Sequence, residues 1–182
     1  MKRVVVLFFP LLLVVAAGCG APLTESSSSG TDSAGLDHLV QESWTNRIAL
    51  TDSGVRRGIV EAGHGAEYRT RSGSEHHLDG GIRVTLFDAK GRPATIITAQ
   101  KAVIHENQDI EAMGKVVMTS AEKTVITTEY VTTSAKEKMI RSDRFVTITR
   151  PGETIRGEGF ESDQALKKYR IFRGSGEAFI QQ

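Results

Sequence analysis

Ile97-Thr98-Ala99-Gln100-Lys101-Ala102, Ile126-Thr127-Thr128-Glu129-Tyr130-Val131 and Ile155-Arg156-Gly157-Glu158-Gly159-Phe160 share one pattern, and their first residues stand 29 and 29 positions apart. A fixed period of this size marks a chain built from repeated supersecondary units. An earlier copy starts at Val60, in Val60-Glu61-Ala62-Gly63-His64-Gly65-Ala66. Between the copies come Val84, Val117 and Val146, spaced 33 and 29, and Phe179 falls a further 33 along. A turn signal precedes each copy: Asp52-Ser53-Gly54, Asp88-Ala89-Lys90-Gly91, Ala121-Glu122-Lys123 and Pro151-Gly152. The fourth copy runs to Gly174, and the fifth is cut off after Phe179.

Inside the repeat the hydrophobic period is that of strands. Gly81-Ile82-Arg83-Val84-Thr85-Leu86 and Arg144-Phe145-Val146-Thr147-Ile148-Thr149 alternate apolar and polar residues. Val, Ile and Thr are plentiful and aromatics make up only 6%, a mixture that suits pleated, half-buried surfaces. Leu36 to Trp44 is the one stretch for which a short helical turn is considered. The fold class is therefore all-β, made of repeated short strands. Stacked strand units bury their apolar faces against one another and leave an edge at each end.

The 182 residues leave one domain of ordinary size once a targeting segment is set aside. Lys and Arg number 23 against 22 Asp and Glu. Loss of Lys2 and Arg3 with the leader brings the balance to about −1. There is no basic excess or stripe of the kind that nucleic-acid binding requires. The single cysteine, Cys19, excludes an intramolecular disulfide and Cys-based zinc or redox pairs.

Cys19 has a more specific meaning. Met1-Lys2-Arg3 is a short positive region, and Val4 to Ala17 is apolar for 14 residues. Spanning a hydrocarbon core of about 30 Å takes about 20 residues, so the segment fits the apolar region of a secretory signal instead. It ends Ala16-Ala17-Gly18-Cys19-Gly20, which resembles the lipobox of bacterial lipoproteins, with Ala16 where Leu or Val is commoner. The resemblance implies a signal peptide over 1–18 and an acylated Cys19 as the mature N-terminus. Residues 19–43, with Ser26 to Ser29, read as a flexible tether that lets a folded body over 44–182 clear the headgroups.

Catalytic and metal chemistry find little footing. His76 and His77, with His64 and His105 elsewhere and Glu75 and Asp79 nearby, are the candidates weighed for a metal cluster. Adjacent residues of a strand point to opposite faces, so His76 and His77 would chelate together only in a turn. Gly157-Glu158-Gly159 and Gly174-Ser175-Gly176 lack the strand–helix setting of a phosphate loop and read as turns or bulges. No nucleophile elbow frames any Ser. Glu129 and Glu158 occupy equivalent repeat positions, which explains them better than paired acid–base catalysis. We expect no enzyme, no metal and no cofactor.

Phe87-Asp88-Ala89-Lys90-Gly91, Ile97 to Ala102 and Met113-Gly114-Lys115-Val116-Val117-Met118 together resemble the LptC family, membrane-anchored periplasmic components of lipopolysaccharide export. The unit recurs in Ile126 to Val131, Ile140 to Ile148 and Ile155 to Asp163, so the likeness covers roughly 45–180. The resemblance implies a twisted, partly open β-jelly roll whose apolar interior holds acyl chains. It implies lipopolysaccharide, an inner-membrane ABC transporter and a periplasmic bridge protein as partners, with a membrane held through the acyl anchor. Many members use an N-terminal transmembrane helix where this chain offers Cys19. Function favours the inner membrane of a Gram-negative envelope, whereas Gly20 after the cysteine leans to the outer.

Two sets of residues follow. Same-phase apolar residues line one face of a sheet, so Val84, Leu86, Ile97, Val117, Ile126, Val146, Ile148 and Ile155 are expected to line the lipid groove. The segment Ile171 to Ile180, with Ile171, Phe172, Ala178, Phe179 and Ile180, is expected to be a free edge that accepts a strand from the bridge protein. The function so expected is lipopolysaccharide transfer along the groove. The alternative is an envelope lipoprotein that scaffolds other proteins through its β edges without carrying lipid; a third reading, an envelope hydrolase, has least support.

Overall fold

The computed structural model describes residues 38–178. Cys19, the leader, Phe179 and Ile180 lie outside the described residues. The strands are β1 (His38–Asp52), β2 (Val55–Thr70), β3 (Gly73–Phe87), β4 (Pro93–Ala99), β5 (Lys101–His105), β6 (Ile110–Ser120), β7 (Val125–Ser134), β8 (Met139–Arg150), β9 (Glu153–Asp163), β10 (Tyr169–Ile171) and β11 (Gly174–Ala178). All pairings are antiparallel, in the order β1-β2-β3-β4-β6-β7-β8-β9-β10, with β5 between β3 and β6 and β11 on β9. There is no helix among the described residues, and the all-β, jelly-roll-like reading stands.

The turn considered at Leu36 to Trp44 is a correction. From His38, the first described residue, the chain is already strand. Glu42 faces Ala66, Ser43 faces Gly65 and Trp44 faces His64 across the ladder. Pairing with β2 satisfies the backbone of a segment whose own sequence favours neither state, so tertiary context decides it.

Long strands bend at their middles, and the bends line up across the sheet. Register shifts fall at Ala62/His64 between β2 and β3, Met113/Val116 between β6 and β7, and Ser142/Phe145 between β8 and β9. Thr45 (φ 57°), Gly80 (φ 74°), Gly114 (φ 77°), Lys115 (φ 48°) and Gly159 (φ 82°) mark the same line. Positive φ is cheap only for glycine. At Gly63 space is also limiting, since a Cβ would stand 2.7 Å from the Gly80 carbonyl oxygen. Here Gly157-Glu158-Gly159 belongs to the bend in β9, while Gly174-Ser175-Gly176 opens β11. Bulges strengthen twist and turn a strand, and a row of them folds one sheet into two layers. The first layer holds β4, β11 and the halves of the long strands that pair with them. The second holds β5, β10 and the remaining halves.

Opposite the bend, turns of one layer are tied to turns of the other. Thr51 N donates to Gln108 Oε1 at 3.1 Å, and Lys138 Nζ donates to Asp52 Oδ2 at 3.2 Å. Thr95 Oγ1 donates to the Gln164 carbonyl at 2.7 Å, and Lys167 Nζ meets Glu122 Oε1 at 2.9 Å. Leu166, in the β9–β10 turn, is buried with them. Between the layers lies a single apolar core drawing on both.

Candidate functional site

The inner face is organised as a ladder. Val60 faces Val84, which faces Ile97, then Met118, Ile126, Ile148 and Ile155, each across one strand pairing. The 29-residue spacing of Ile97, Ile126 and Ile155 has its physical meaning here: each period supplies one strand up and one strand down, returning the chain to the same rung. Directly opposed apolar side chains are the unit of sheet stabilisation. Burying each one fully contributes roughly 1.5–3 kcal/mol.

Of the residues expected to line the groove, Val84, Leu86, Ile97, Ile126, Val146 and Ile148 are buried on this inner face. Ile155 is half-buried at the end of the ladder. Val117 is a correction. It faces Thr98 and Thr127 on the outer surface, while its neighbours Val116 and Met118 are fully buried. Ile110, Ala112, Val116 and Met118 share one phase of β6 and are all buried, so alternation along the strand turns Val117 outward. The second layer's inner face was not anticipated: Leu78, Ile104, Ile110, Val131, Ile140 and Phe160 line it.

The two sheet edges differ in build. Among the described residues β1 pairs only with β2, along one side of its 15 residues. Leu39 and Val40 are exposed on it, as is Trp44 at 70%. The C-terminal edge is broken into β10 and β11, which lie end to end on β9. Ile171 packs against the core, so it is not an exposed edge side chain. Phe172 sits in the break, 43% exposed, with its N–H donated to the Gly159 carbonyl. Ala178 faces Glu153.

The outer face of the second layer carries a polar chain. His77 Nε2 lies 3.0 Å from Glu75 Oε2, His105 Nδ1 lies 3.2 Å from Glu75 Oε1, and His105 Nε2 lies 2.9 Å from Glu111 Oε1. Tyr130 Oη donates to Glu111 Oε2 at 2.8 Å. The His77 imidazole, with His105 beside it, holds the Glu75 carboxyl below the usual carboxylate range. Burial, aided by the Glu111 carboxylate, pushes the Tyr130 phenol up to about 12. His76 points to the opposite face, beside Leu78 and Glu67. His64 sits apart, 3.2 Å from Asp79 Oδ1. Among the described residues no group of His, Asp and Glu converges closely enough to hold a metal ion. Glu129 accepts from the Lys115 N–H at 3.3 Å and Glu158 pairs with Arg173 at 2.9 Å, so each serves the bend rather than a shared reaction centre.

What these parts can do is shelter apolar matter between two sheets and pair backbone at two edges. Residues 46–174, most of the chain and nearly all of the folded body, match the family model described as "Lipopolysaccharide-assembly, LptC-related". No curated protein matches the chain. Ladder, folded sheet and family match agree: the chain belongs to the LptC-related family, transport components of lipopolysaccharide assembly in the Gram-negative cell envelope.

Proposed function

We propose that this chain takes lipopolysaccharide from an inner-membrane ABC transporter and passes it to a periplasmic bridge protein, with the acyl chains held between its two layers. The ladder from Val60 to Ile155 carries this reading, because it presents one unbroken apolar row across seven strands. An acyl chain enters by parting the layers along the side tied by Thr51–Gln108, Asp52–Lys138 and Thr95–Gln164. These are a few polar contacts between turns, whereas the bend opposite is covalent backbone, so the tied side is the weaker seam. Cys19, acylated, holds the body at the membrane in this reading.

The bridge protein docks by strand addition on the β10–β11 edge, whose outer N–H and C=O groups have no ladder partner among the described residues. Its short strands and the apolar Phe172 beside them support that assignment. Extraction of the full chain from its native membrane, purification and assay of bound lipid test the proposal. Lipopolysaccharide should copurify, and removing residues 171–182 should abolish capture of the bridge protein while leaving the lipid in place. A lipid-free protein that still captures its partners would favour the scaffold reading.

A further inference from the structure

Where the β1–β2 turn meets the β5–β6 and β7–β8 turns there is a cavity of about 510 Å³. Its apolar side is Leu50 and Leu86, both buried members of the core between the layers. Its charged lining is Asp52, Arg57, Lys136 and Lys138, three cations to one carboxylate. The cavity thus abuts the apolar core at one end and is cationic at the other.

Arg57 is aimed there by local geometry. Leu50 faces Gly58 and Thr51 faces Arg56, so Arg57 is the extra residue of a bulge with no partner on β1. Its Nε is shut off from solvent and makes no hydrogen bond. The Asp52 carboxylate is the nearby acid, 3.7 Å from Nε and 3.2 Å from Lys138 Nζ. A buried donor without an acceptor is costly, and two cations share one carboxylate that Lys138 reaches by a hydrogen bond and Arg57 does not, which leaves capacity for a second anion. The planar guanidinium suits two oxygens of one phosphate, and Lys138 and Lys136 supply point charges beside it.

We propose that this cavity is the seat of a phosphate monoester headgroup whose acyl tail runs past Leu50 and Leu86 into the space between the layers. The phosphate takes Arg57 and Lys138 from Asp52, which releases the β1–β2 turn from the β7–β8 turn and loosens the seam at the point of entry. The inference rests on the acyl-carrying reading above and adds to it a headgroup chemistry and a place.

Calorimetric titration of the full chain separates the two ideas. The probes are dodecyl phosphate, lauryldimethylamine oxide (the same tail length without net charge) and inorganic phosphate, the amphiphiles below their micelle concentrations. Dodecyl phosphate should bind about tenfold more tightly than the amine oxide, the scale of one good charge-assisted contact. Arg57→Gln and Lys138→Gln should each remove that advantage and leave the amine oxide unchanged. Asp52→Asn, which takes away the competing carboxylate, should tighten dodecyl phosphate, a gain that misfolding cannot mimic. Equal binding of the two amphiphiles, or variants that leave dodecyl phosphate untouched, would overturn the headgroup site and spare the acyl reading. Inorganic phosphate bound as tightly as dodecyl phosphate would overturn it too, since the site would then serve a free anion. Binding of neither amphiphile would remove both ideas.

Discussion

Met118 and Val117 are adjacent in β6, yet one is shut off from water between two sheets and the other lies on the outer surface beside Thr98 and Thr127. The same contrast runs along the whole body. The inner rungs are Val, Ile and Met packed against each other. The outer face carries threonines, ion pairs and the His77–Glu75–His105–Glu111–Tyr130 chain. One set of strands thus holds an oily compartment and a wettable coat with a single peptide step between them. Composition alone hides this division, because valine and isoleucine occur on both faces and only the phase sorts them.

The same substitution on the two faces should expose that contrast most strongly. Met118→Asp puts a carboxylate among fully buried apolar side chains with no cation to meet it. The cost of an unpaired buried charge rivals the whole stability of a domain, about 5–15 kcal/mol. The variant should lose its cooperative thermal transition. Val117→Asp, one residue away, should cost only about 1 kcal/mol, the span of strand preferences at a half-exposed site, and keep a transition near that of the parent. If both variants melted alike, the inward and outward assignment in β6 would be wrong.

A milder pair sharpens the contrast. Ile148→Ala removes a rung with neighbours on both sides and should cost about 2–5 kcal/mol in chemical denaturation. Ile155→Ala, at the half-buried end of the ladder, should cost clearly less. A reversed order would mean that the ladder does not end at β9.

Much of this was readable beforehand. The turn signals at Asp52-Ser53-Gly54, Asp88 to Gly91, Ala121-Glu122-Lys123 and Pro151-Gly152 fall between β1 and β2, β3 and β4, β6 and β7, and β8 and β9. Ile97, Ile126 and Ile148 lie on one face because the strand register sets them on one ladder. What escaped was the phase of β6 and whatever depended on the bends. Val116 and Met118, in one phase with Ile110 and Ala112, are the inward residues, and Val117 between them faces out. The folding of one sheet into two layers depends on the same row of bends, so Ile104, Ile110 and Phe160 were not assigned to the interior. Residues 38–43 escaped for another reason: their strand exists because β2 is there to pair with.

The outer polar chain supplies the smallest effect. Tyr130 is held neutral to about 12, so the folded state disfavours its ionisation relative to an ordinary phenol. Its contribution to stability is complete below its ordinary value of 10.0 and is lost as pH rises toward 12. Ultraviolet titration should show one of the three tyrosines ionising late, and Glu111→Gln should bring it back toward the ordinary range. At the other extreme Glu75, depressed by His77 and His105, should give up its contribution as pH falls below the carboxylate range. A Tyr130 that titrated with the other two would dissolve the outer chain and leave the inner ladder untouched.

The central claim is that lipid travels on the inner face and not on the outer. A photo-crosslinking amino acid at Ile148, on the ladder, and at Val117, on the coat, tests it directly, each full chain being irradiated with purified lipopolysaccharide. Adducts from position 148 with none from position 117 are the predicted result. Adducts from position 117 alone, or equally from both, would contradict the account.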